Sequence, residues 1–224
     1  MKPQFSTVQC KSFTDGCHEI LESLLHEERL DILVNGDLYC STVCTPTEKD
    51  ELVLGRLLSD GLISDLCAIR ELTFNENGRI AYVSCVIETK PKEYRSRGML
   101  WAPETLEQMY RALQDSPLYT ETHSAHTALL LRNNKLLCMR DDIGRHNAVD
   151  KVLGFALLHS VPLEECILFS TGRLPTDMVD KALHAGVGAL GSKALPTAES
   201  VERARTAGLT LLHISPRKGI LQFS

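Results

Sequence analysis

The sequence contains no apolar run of the roughly 18 residues that a membrane-spanning helix needs, which excludes a helical span. It also has no Cys-x-x-Cys pair, so the closely paired ligands of a zinc ribbon or finger are absent. Charge of one sign does not dominate either. Twenty-four Lys and Arg against 29 Asp and Glu leave a net charge of -5, no electrostatic reason to expect nucleic-acid binding. Met1-Lys2-Pro3-Gln4-Phe5-Ser6 carries no apolar signal core, so the expected location is the cytoplasm.

What is present reads as an ordinary globular chain. Its 224 residues, 43% hydrophobic and 24% charged, suffice for one large domain or two small ones with a sizeable core. Eight cysteines are scattered at 10, 17, 40, 44, 67, 85, 138 and 166. A cytoplasmic chain of this size is not expected to form disulfides. Cys40 and Cys44, four apart on a strand, simply share a face. Most of the eight are expected as small core residues.

Pattern divides the chain into three segments: 1–28, irregular, with helical periodicity in Ile20, Leu21, Leu24 and Leu25; 29–121, an α+β subdomain; and 122–224, an α/β subdomain. In the second, Asn35-Gly36 between apolar runs is a hairpin signal, because both turn residues must take positive φ. Thr45-Pro46-Thr47 opens a helix carrying Leu52, Val53, Leu57 and Leu58, and Asp60-Gly61 closes it. Strands are expected at 69–74 and 79–87, a polar basic loop at 88–101, a helix from Pro103, and a loop to about Thr122. In the third segment a hairpin turns at Asn133-Asn134. Helices at 146–159, 176–185 and 198–207 then alternate with strands at 166–170, 187–190, 209–214 and 220–223. That alternation predicts a helix-covered, largely parallel sheet.

Several strand-to-helix junctions could carry chemistry. Asp141-Asp142-Ile143-Gly144-Arg145-His146-Asn147 leads into a helix whose first N–H groups carry partial positive charge. Arg145 adds a fork suited to phosphate or carboxylate, and His146 is readily tuned near neutral pH. The same residues equally fit a polar cap with an internal Arg–Asp network. Ser170-Thr171-Gly172-Arg173 and Ser192-Lys193-Ala194-Leu195-Pro196-Thr197 also stand at strand ends, where α/β sheets bind ligands. Neither is a P-loop, and capping alone explains Thr197. Ile214-Ser215-Pro216-Arg217-Lys218-Gly219 is a basic turn that, by itself, reads as an exposed hairpin loop. His123 and His126 lack a third metal ligand, and no deaminase-type zinc signature accompanies them, so no metal site is expected.

Taken in order, the run from Arg140 to Lys151, that from Ser170 to Lys181, and Ser192 to Thr197 closely resemble the FdhD/NarQ family of formate dehydrogenase accessory proteins. Val34-Asn35-Gly36, Thr45-Pro46 and the stretch from Glu51 to Ile63 resemble its N-terminal pattern, so the likeness covers roughly 30–224. It implies a cytidine-deaminase-like mixed α/β sheet covered by helices, without the catalytic zinc. It further implies transfer of sulfur from a cysteine desulfurase to the bis-molybdopterin guanine dinucleotide molybdenum cofactor, destined for formate dehydrogenase, and a homodimer. The turn Ile214, Ser215, Pro216, Arg217, Lys218 and Gly219 corresponds to a segment contacting the cofactor's GDP-like nucleotide. Arg145, His146, Asn147, Gly172, Arg173, Ser192 and His126 would line the same cavity.

The sequence departs from the family where sulfur is carried. The family's Cys-Gly-x-Cys-Gly loop is replaced by Ser96-Arg97-Gly98-Met99-Leu100-Trp101-Ala102-Pro103, and a persulfide carrier needs a reachable thiolate. Its Thr-Gly-Gly-x-His run appears as Thr122-His123-Ser124-Ala125-His126. Cys85, Cys138 and Cys166 fall in expected strands, leaving Cys10 and Cys17 as the better-placed thiols. No catalytic residue is assigned. Two other readings stay open: a chaperone or regulator that only holds a guanine nucleotide-bearing ligand, and a hydrolase or transferase with His146 as general base.

Overall fold

The computed structural model describes residues 4–89, 101–114, 116–215 and 217–224. It opens on two antiparallel strands, β1 (Phe5–Ser12) and β2 (His18–Leu25), paired only with each other among the described residues. This corrects the expected irregular, partly helical first segment. Ile20, Leu21, Leu24 and Leu25 satisfy a helical spacing, but alternation along a strand puts Ile20 and Leu24 on one face and Leu21 and Leu25 on the other. The turn decides between the two: Asp15 and Gly16 take φ of 56° and 110° and fold β2 back on β1.

The next strands, β3 (Glu28–Val34) and β4 (Asp37–Cys44), form the hairpin expected around Asn35-Gly36, at φ of 51° and 96°. Helix α1 (Lys49–Ser59) follows. Strands β5 (Ile69–Phe74) and β6 (Ile80–Cys85) complete a four-stranded sheet of order β4-β3-β6-β5, with β3 and β6 parallel. Helix α2 (Pro103–Gln114) begins at the expected proline. The stretch expected as a loop to Thr122 contains a short helix, α3 (Pro117–Thr122), started by the Ser116 hydroxyl accepting the Tyr119 N–H.

The rest of the chain runs β7 (His126–Arg132), β8 (Lys135–Asp142), α4 (Arg145–Leu158), β9 (Cys166–Ser170), α5 (Thr176–Ala185), β10 (Ala189–Ser192), α6 (Ala198–Ala207), β11 (Thr210–Ser215) and β12 (Gly219–Gln222). These six strands form a mixed sheet of order β12-β11-β10-β9-β7-β8, in which β9, β10 and β11 are parallel. Strand β10 starts two residues later than expected, because the Val187 N–H caps α5 by bonding the Ala182 carbonyl at 3.0 Å. Both sheets are flanked by helices. No helix among the described residues is long and apolar enough to cross a membrane.

Packing ties the two sheets into one core. Leu30, Ile32, Leu52 and Leu57 from the first half join Val149, Val152, Leu153 and Leu168 from the second. At its centre α1 crosses α4 with backbones in contact: a Cβ on Gly55 would lie 1.7 Å from the Asp150 carbonyl oxygen, and one on Gly154 would lie 1.9 Å from that of Glu51. A second cluster, including Met109, Leu129, Phe169 and Leu212, fills the opposite face of the six-stranded sheet beneath α2.

Candidate functional site

Strand register lines up one edge of the six-stranded sheet. His126, at the start of β7, faces Asp142 at the end of β8; Ala128 faces Ser170 on β9; Ser170 faces Ser192 on β10; and Ser192 faces His213 on β11. The residues following β8, β9, β10 and β11 therefore emerge side by side, at the carboxyl ends where open α/β sheets bind ligands. Those residues supply five cations: Arg145, Arg173, Lys193, Arg217 and Lys218.

The Asp141–Asn147 motif divides into scaffold and rim. Buried Asp142 accepts from the Thr45 N–H (3.1 Å), the Gly144 N–H (2.9 Å), Asn147 Nδ2 (2.9 Å) and Lys151 Nζ (2.9 Å). Asp141 Oδ1 accepts from the Thr127 and Ser116 hydroxyls at 2.6 and 2.7 Å. Asn147 also spends its whole amide inside the protein: Nδ2 donates to the Val43 carbonyl and Asp142, while Oδ1 accepts from the Thr42 hydroxyl and Arg56. Asp150, fully buried, binds Arg56 at 2.5 Å and Lys181 at 3.0 Å. The internal ionic network is thus real, and it holds α4 against α1 and β4.

Arg145 and His146 stand outside that network. Arg145 packs against Gly172, where an added Cβ would meet the Arg145 Cβ at 2.7 Å, so only glycine fits. The Arg145 Nε is buried with no hydrogen-bond partner. His146 Nε2 lies 3.0 Å from Asp177 Oδ2, beside a cleft of about 480 Å³ lined also by Thr42, Arg56, Asp60 and Lys181. Burial lowers the His146 pKa below its ordinary value and Arg145 adds to this, partly opposed by Asp177.

Ser192, wholly buried, braces the neighbouring turn. Its hydroxyl donates to the Gly172 carbonyl at 2.6 Å and accepts the Ala194 N–H at 2.9 Å. Arg173 is exposed. His126 Nδ1 lies 3.2 Å from Thr171 Oγ1. Burial, then Arg145 and Lys193, depress the His126 pKa below its ordinary value, which favours the neutral ring.

At the basic turn, the Ile214 side chain packs into the core rather than facing the rim. Ser215 Oγ accepts the Lys218 N–H at 3.2 Å, and Gly219 takes a φ of 65°. Arg217 and Lys218 are exposed and share a cleft of about 420 Å³ with Lys193, Leu195, His213 and Ser215. His213 is 3% exposed, and its Nδ1 has no hydrogen-bond partner. Pro216 and most of the 88–101 loop lie outside the described residues. Lys193 and Thr171 sat inside segments noted in the sequence. Asp177 and His213 carried no signal of their own, since one reads as a helix acid and the other as a strand residue.

No cysteine lines either cleft among the described residues. Cys44, Cys138 and Cys166 are buried, with thiol pKa values pushed up to about 12 by burial. Cys17 is exposed, as is Cys67, which the sequence had not singled out; Cys10 is half-buried.

Comparison with known proteins supports the resemblance. Residues 25–100 and 86–223 match the FdhD/NarQ family. Sulfur carrier protein FdhD of Bacillus licheniformis is 32% identical over 212 residues, covering 82% of this chain and 81% of its own length. Its namesake from Bacillus subtilis is 29% identical over 223 residues, covering 87% and 85%. A crystal structure from Desulfotalea psychrophila, assigned as a formate dehydrogenase accessory protein, superposes with a TM-score of 0.86 at 29% identity, covering 99% of this chain and 97% of that one. With both the four-stranded sheet and the basic terminal turn inside the matched residues, the chain belongs to the FdhD/NarQ family.

Proposed function

We propose that this protein is an accessory factor in formate dehydrogenase maturation that holds the bis-molybdopterin guanine dinucleotide molybdenum cofactor on its basic strand-end rim. The observation that carries the reading is the convergence of Arg145, Arg173, Lys193, Arg217 and Lys218 at one sheet edge. Phosphates suit such a place, where guanidinium forks and helix N-termini meet. The orphaned Arg145 Nε–H and the unpartnered His213 Nδ1 are polar positions that a ligand would satisfy. In this arrangement Arg217, Lys218, Ser215 and Gly219 take the nucleoside end, while Arg145, His146, Arg173 and His126 face its diphosphate and the remainder of the cargo. Asn147, Ser192 and Gly172 keep those groups in place. The segment 122–224 supplies the rim and 29–121 buttresses it through α1.

Titration with GDP by calorimetry tests this. Wild type should bind, and Arg217→Ala and Arg145→Ala should each weaken binding; unchanged affinity in both would defeat the placement.

Relatives in the family bear the name sulfur carrier, and by that role the protein would meet a cysteine desulfurase and formate dehydrogenase in the cytoplasm, as a homodimer. The replacement of the two loop cysteines by Arg97 and Leu100 favours holding the cofactor over carrying sulfur. Incubation with a cysteine desulfurase and cysteine, then intact-protein mass spectrometry, separates the two. Gain of one sulfur atom supports a carrier using another thiol; no gain supports a cofactor-holding chaperone.

A further inference from the structure

The clue is a single hydroxyl shared between two strands. Thr171, directly after β9, is tied to β7 by its main chain, its N–H donating to the Thr127 carbonyl at 2.9 Å. Its Oγ1 accepts the Thr127 main-chain N–H at 3.0 Å. A hydroxyl has one proton to give, and His126 Nδ1, 3.2 Å away, stands in position to take it. If Nδ1 accepts, the ring proton must sit on Nε2, since neutral imidazole carries only one.

We propose that Thr171 is a positioning residue, locking His126 in the Nε2–H tautomer so that the ring offers an N–H donor to an anionic oxygen held between Arg145 and Lys193. The inference rests on the reading of the rim as a cofactor site and adds a residue to it. The groups facing His126 are Arg145 and His146 on α4, Lys193 after β10, and Asp142 at the end of β8. Burial and the two cations disfavour the charged ring, and Asp142 works against them. A neutral ring can turn either a lone pair or an N–H toward the ligand. A lone pair there would repel an anion, so fixing the proton on Nε2 converts a neutral side chain into a dependable donor. Arg145 and Lys193 provide the charge; His126 provides direction.

The test is nitrogen-15 NMR of the full chain labelled at histidine, with the His126 signals identified by their loss in His126→Gln. Wild type should show His126 as one tautomer, protonated at Nε2 and bare at Nδ1. Thr171→Val, which keeps the shape but removes the hydroxyl, should average the two tautomers and weaken GDP binding about tenfold. Thr171→Ser should restore both readouts, which a purely steric role for Thr171 would not predict. A wild-type ring protonated at Nδ1, or a tautomer unaltered in Thr171→Val, would overturn the proposal. Because the tautomer is read without ligand, failure of GDP to bind wild type would sink the nucleotide reading while the single tautomer still supported the positioning role.

Discussion

Gly55 of α1 and Asp150 of α4 touch through their backbones, with the site of an absent Cβ 1.7 Å from the Asp150 carbonyl oxygen. Asp150 is also the buried anion that binds Arg56 and Lys181, so the closest helix contact and the central ion cluster occupy one place. The rim is held up from there, because α4 begins at Arg145.

Gly55→Ala should therefore force the helices apart. The expected loss is about 3 kcal/mol or more, beyond the usual cost of overpacking because backbone cannot rotate away. Urea denaturation of the variant, compared with Gly36→Ala as a control that alters only a turn, measures it. An effect below that of the turn variant would refute the packing argument.

Asp150→Asn should leave Arg56 and Lys181 without their shared buried anion. Lys181 keeps Asp60 at 2.9 Å, so the loss should be about 3 kcal/mol, at the lower end for broken buried pairs. The same denaturation midpoint reads it out. A further Lys181→Met change should recover part of the loss, by removing one of the two cations left facing an uncharged amide.

Stability should fall as the medium becomes acidic, through His126 and His146. Both have folded pKa values below the ordinary 6.5, chiefly from burial. The unfolded chain therefore binds protons first, and the stabilisation, complete above about pH 6.5, drains away as pH falls toward the folded values. Urea midpoints at about pH 7.5 and about pH 5.5 should differ less in the double variant His126→Gln, His146→Gln than in wild type. An equal difference would remove these two rings as the cause.

Thiol labelling should sort the cysteines by environment. Cys17 and Cys67, both exposed, should react quickly in the native protein, whereas Cys44, Cys85, Cys138 and Cys166 should react only on unfolding. Peptide mapping after a brief alkylation pulse gives the answer directly. Rapid modification of Cys138 or Cys166 would contradict the burial described.

How legible all this was depended on the range of the signal. Turn chemistry is local, so Asn35-Gly36 disclosed its hairpin, and helix α5 was delimited to the residue by Thr176 and the Ala185-Gly186 exit. Asp15-Gly16 carries equally local information, but the helical spacing of Ile20, Leu21, Leu24 and Leu25 masked it. The motifs pointed to the strand ends; what they could not supply was which members are engaged inside the protein. Asn147 and Ser192 have the chemistry of ligand contacts, and only their partners on β4, α1 and the Gly172 turn reveal them as bracing. His213 gave no warning, because a histidine in an apolar strand shows its unpaired nitrogen only once β10 and β11 are set side by side.

One consequence follows from the way the rim's cations are left. Among the described residues none of Arg145, Arg173, Lys193, Arg217 and Lys218 has a carboxylate within ion-pair distance, and they arise from four separate turns. Attraction shared among scattered charges, three of them exposed and two partly so, is screened over about 8 Å in physiological salt, so the proposed grip on an anionic cargo should slacken smoothly as ionic strength rises. Such a holder has no single latch. On the function proposed above, a recipient offering a deeper, drier cradle could draw the cargo off one contact at a time.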